Sequence, residues 1–80
     1  MPCFQVINGA KNVLKSSLET IPMEVKKNSL TMLAALARAE TDEFRQMLDD
    51  LNFDEEVYSG ENQELKDLPE AEKLREVLKK

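Results

Sequence analysis

The sequence predicts an all-α protein, a small bundle of three to four helices with an acidic connecting loop. Three observations predict it. Helix formers dominate, with eleven Leu and six Ala among many Glu and Lys, while Gly and Pro number two and three. Apolar side chains recur at three- and four-residue steps over long stretches, the period of a helix burying one face. Runs of β-branched or aromatic residues that would build a sheet are few. Eighty residues, 41% of them hydrophobic, suit one folded domain spanning 1–80, with a core small enough that packing must be efficient or a partner must help.

The first helix is expected over about 3–20. From Phe4 the apolar positions run Ile7, Ala10, Val13, Leu14, Leu18 and Ile21, with Lys11, Lys15 and Glu19 on the other face. Asn8-Gly9 is a common turn dipeptide, but the apolar period continues on both sides of it, so the helix is expected to run through. Pro2 suits a first helical turn. Thr20-Ile21-Pro22 is the clearest boundary, because Pro disfavours helical geometry in the residue before it and then suits the next first turn. The second helix therefore spans about 22–39, an antiparallel neighbour of the first.

Leu30, Leu33, Ala34, Leu36, Ala37 and Ala39 make that helix apolar nearly all round, and the period carries on through Phe44, Met47, Leu48 and Leu51. This stretch is the expected core. Thr41 before Asp42 and Glu43 reads as an N-cap with acids where the helix dipole favours them, which predicts a break near Glu40 and a third helix over about 42–51. Residues 52–67 show no sustained period and are expected to form an acidic loop, tacked down by Phe53, Val57 and Tyr58. Asp67-Leu68-Pro69-Glu70 then opens a last helix over about 68–79, whose stripe is Leu68, Ala71, Leu74, Val77 and Leu78.

Charge is unevenly laid out. Residues 1–39 carry five bases against two acids, residues 40–67 carry eleven acids against two bases, and residues 68–80 carry four bases against three acids. The net −5 is therefore a strongly negative middle between weakly positive ends. Such a block repels nucleic acid and attracts basic protein surfaces or cations. Direct nucleic-acid binding is not expected, because Lys11, Lys15, Lys26 and Lys27 are few, lack interleaved aromatics, and read as a solvated face. A lone Cys3, the absence of a secretory signal and the absence of a membrane-length apolar run lead to the expectation of a cytoplasmic protein.

Catalysis is not expected. The chain has no histidine and no glycine-rich phosphate loop, and its serines have no base at a recognisable spacing. No cofactor is expected either. One local pattern points to a cation: with Asp50 as position 1, Asn52, Asp54, Val57 and Glu61 fall at positions 3, 5, 8 and 12. This resembles an EF-hand calcium loop, although Glu55 stands at the glycine position and Asp49 precedes the loop. The resemblance implies a calcium-responsive element.

The function the residues favour is binding another protein with a basic surface, as an adaptor, regulator or inhibitor. The candidate contact residues are Asp49, Asp50, Phe53, Asp54, Glu55, Glu56, Val57, Tyr58 and Glu61, combining apolar anchors with acidic steering. An alternative uses the same acids as phosphate surrogates that imitate nucleic acid in a partner's basic groove. A homodimer is a further expectation, from the heptad-like register 33, 37, 44, 47 and 51.

Overall fold

A computed structural model describes residues 3–39 and 42–79, with the side chains of Cys3, Phe4 and Glu61 left aside. It is all-helical among those residues: α1 (Cys3–Lys15), α2 (Met23–Ala39), α3 (Asp42–Asp50), α4 (Phe53–Val57), a 3-10 helix (Gly60–Asp67) and α5 (Pro69–Leu78). α5 packs along α2 more extensively than any other pair, and α1 packs against α2, α3 and α4. The radius of gyration, 11.6 Å, is what a compact chain of this length gives. No helix among the described residues is long and apolar enough to cross a membrane. Pro2, Glu40 and the Thr41 cap lie outside the described residues.

The first helix stops at Lys15, several residues short of the expected end. The cause lies in α2. Lys26, only 1% exposed, sends its Nζ to the Leu14 carbonyl oxygen at 2.9 Å and to that of Ser16. In a longer helix those two oxygens would accept from the amides of Leu18 and Thr20. The lysine takes them instead and caps the helix C-terminus, where a cation also meets the negative end of the dipole. Ser16 and Ser17 help, since their hydroxyls bond locally, Ser16 Oγ to the Asn12 oxygen at 2.7 Å and Ser17 Oγ with Thr20 Oγ1 at 3.2 Å. Leu18 is consequently 56% exposed rather than part of the core stripe.

The expected acidic loop over 52–67 is corrected by the structure: it is α4 followed by the 3-10 helix. Asn52 adopts the left-handed conformation (φ 50°, ψ 41°), which ends α3 and turns the chain. Phe53 and Val57, one helical turn apart, face the core. Gly60 (φ 55°) makes a second reversal that only glycine enters freely, and the following turns bring Leu65 into the core. Leu68 is extended, as expected before Pro69, and α5 starts with that proline.

The core joins Ile7, Ala10 and Leu14 of α1 to Leu30, Leu33, Ala34 and Ala37 of α2, Phe44 and Leu48 of α3, and Ala71, Leu74 and Val77 of α5. The expected dimer seam does not survive this arrangement. Leu33, Ala37 and Phe44 are at most 2% exposed and fill the chain's own core, while Met47 and Leu51 are half-buried against it.

Candidate interaction surfaces

The nine candidate contact residues divide by helix face. Phe53, Val57 and Tyr58 are at most 4% exposed and belong to the core, so they offer no anchor to a partner. Asp49, Asp50, Asp54, Glu55 and Glu56 are exposed. The Glu61 side chain lies outside the described set.

The acids do not share one role. Glu56 forms an ion pair with Lys11 that ties α4 to α1, and the hydrogen bond and charge of Lys11 hold its carboxyl below the ordinary value of 4.5. Asp42 is paired with Arg45 one turn along α3, and Asp50 accepts a hydrogen bond from Gln46 Nε2 at 3.0 Å. Asp49, Asp54 and Glu55 form no ion pair among the described residues. They surround the half-buried Leu78 at the end of α5, where two shallow grooves meet. One, of ≈ 430 Å³, is lined by Asp42, Arg45, Gln46, Asp49 and Leu78. The other, of ≈ 190 Å³, adds Asn52, Asp54 and Glu55 to the shared Asp49 and Leu78.

Asp49 and Asp50 occupy the last turn of α3, which contains no base. There the negative end of the helix dipole makes each acid unfavourable by about 0.3–1 kcal/mol at low ionic strength. At three other ends the dipole is matched: Lys15 and Arg38 stand in the last turns of α1 and α2, and Glu70 and Glu72 in the first turn of α5. The EF-hand-like stretch is helical across Phe53–Val57. Among the described residues no group of three or more acids or thiols is placed to hold a metal ion.

Tyr58 is held between two neighbours of opposite charge. Burial and the nearby Asp54 push its phenol up to about 12, against the opposing pull of Arg75. Arg75 places its guanidinium carbon 5.9 Å from the ring centroid and donates from Nη2 to the Lys66 carbonyl oxygen at 3.0 Å. The Tyr58 hydroxyl itself is buried with no hydrogen-bond partner among the described residues.

A second surface escaped sequence reasoning. Between α1 and α2 runs an open groove of ≈ 450 Å³ lined by Gln5, Val6, Gly9, Ala10, Val13, Ser29 and Met32. None of these residues is charged, in a chain 34% charged. Met32 is 42% exposed, and Val25, one and two turns before Ser29 and Met32, is 41% exposed. The signal was present as Val25, Met32 and Leu36, a second apolar stripe on α2 beside the core stripe 26, 30, 33 and 37.

Compared with known proteins, the chain matches no family model, no curated protein and no solved structure.

Proposed function

We propose that this protein is a binding module whose acidic face, Asp49, Asp50, Asp54 and Glu55, docks on a basic surface of another protein to regulate or inhibit it. The observation that carries the reading is the placement of Asp49 and Asp50. Both are exposed, at the end of α3 where local physics disfavours them. A local rule broken on an exposed surface, in a chain that keeps it at the C-terminal ends of α1 and α2, is the pattern expected of a functional position. With Phe53, Val57 and Tyr58 in the core, the contact is led by charge, and Leu78 supplies a small apolar centre.

The loss of apolar anchors also favours a second form of the same reading, in which the partner's basic surface is its nucleic-acid groove. Binding rather than catalysis accords with a chain that has no histidine, and a single cysteine accords with a reducing, cytoplasmic setting.

The test is capture from source-cell lysate by wild type and by D49N/D50N, each at about 0.1 M and about 1 M salt, where the Debye length falls from about 10 Å to about 3 Å. The expected result is a partner bound at low salt, lost at high salt, and weakened about tenfold by the double substitution. The same variant melts at a higher temperature than wild type, because the dipole penalty is removed. A partner that nucleic acid displaces from wild type identifies the mimicry form. Retention indifferent to both salt and substitution refutes the acidic face as the contact.

A further inference from the structure

We draw no further inference here: the strongest candidate, the uncharged groove between α1 and α2 lined by Val6, Gly9, Val13 and Met32, is an open apolar face, and nothing in the structure shows what covers it.

Discussion

Replacing Lys26 by Met removes one amine from the interior and asks what that amine contributes. The methionine keeps a flexible apolar stem of similar reach and loses the donors. Those donors serve the Leu14 oxygen at 2.9 Å, the Ser16 oxygen, and Asn62 Oδ1 at 3.2 Å. The Leu14 bond is buried and the other two are part-buried. One buried acceptor left unpaired costs about 1–3 kcal/mol, and two that regain some water cost about 0.5–1 kcal/mol each. Against this, the desolvation of an ammonium group is no longer required. The net expectation is a destabilisation of about 2–3 kcal/mol, out of about 4–12 kcal/mol for a chain of this size. For a domain this small that lowers the melting temperature by about 10–20 °C. The assay is thermal and urea unfolding of Lys26→Met beside Lys27→Met. The neighbouring lysine is half-buried and should give a change within about 0.5 kcal/mol. If the two variants unfold alike, Lys26 does not cap α1, and the early end of that helix has another cause.

Two further outcomes follow from the same core. Phe53→Ala is expected to cost about 3–5 kcal/mol, because the ring is 2% exposed, and to leave little folded protein by circular dichroism; a folded variant that loses only binding would restore Phe53 as an interface anchor. Tyr58→Phe removes a buried hydroxyl with no partner among the described residues, so stability near neutral pH should be unchanged or up to about 1 kcal/mol higher. The wild-type phenol is raised to about 12 from about 10 in the unfolded chain. The neutral form is thus the one the fold favours, so this contribution is complete below about pH 10 and is lost as pH rises through about 12. Ultraviolet titration should show that late midpoint, and Tyr58→Phe should lack the corresponding fall in stability; a folded-state midpoint near 10 would refute the burial argument.

The helices legible in the sequence were those whose apolar period lasts two turns or more. Their ends were legible only where the cause is local. Pro69, with Leu68 before it, sets the start of α5 by its own covalent geometry. The end of α1 depends on a lysine that lies twelve positions beyond Leu14 and reaches it only once α2 has folded back. Lys26 could still have been noticed, since it falls on the stripe 26, 30, 33 and 37 that α2 buries. The general rule that lysines stay solvated hides such a residue. The helices within 52–67 were missed for another reason: α4 has five residues, too few to display a period, although Asn52 and Gly60 already marked its borders. Whether Phe53, Val57 and Tyr58 face a partner or the core is not a property of local pattern at all. The same spacing serves either, and only the packing of α1 against α3 and α4 decides it.

Exposed positions give a different kind of information, because there the local preference acts almost alone. At several helix ends the preference is satisfied: acids open α5 and bases close α1 and α2. Gly9 and the Asp49–Asp50 pair go against it, and each would be more stable locally as Ala or Asn. Packing within the chain gives no reason for Gly9 or Asp49, since the added Cβ at Gly9 meets nothing and Asp49 is exposed, while Asp50 has a surface hydrogen bond from Gln46. One departs in size on an uncharged face, the other in charge on an acidic one. A contact made through the first should ignore salt, and a contact made through the second should depend on it steeply. The two therefore separate in a single salt series.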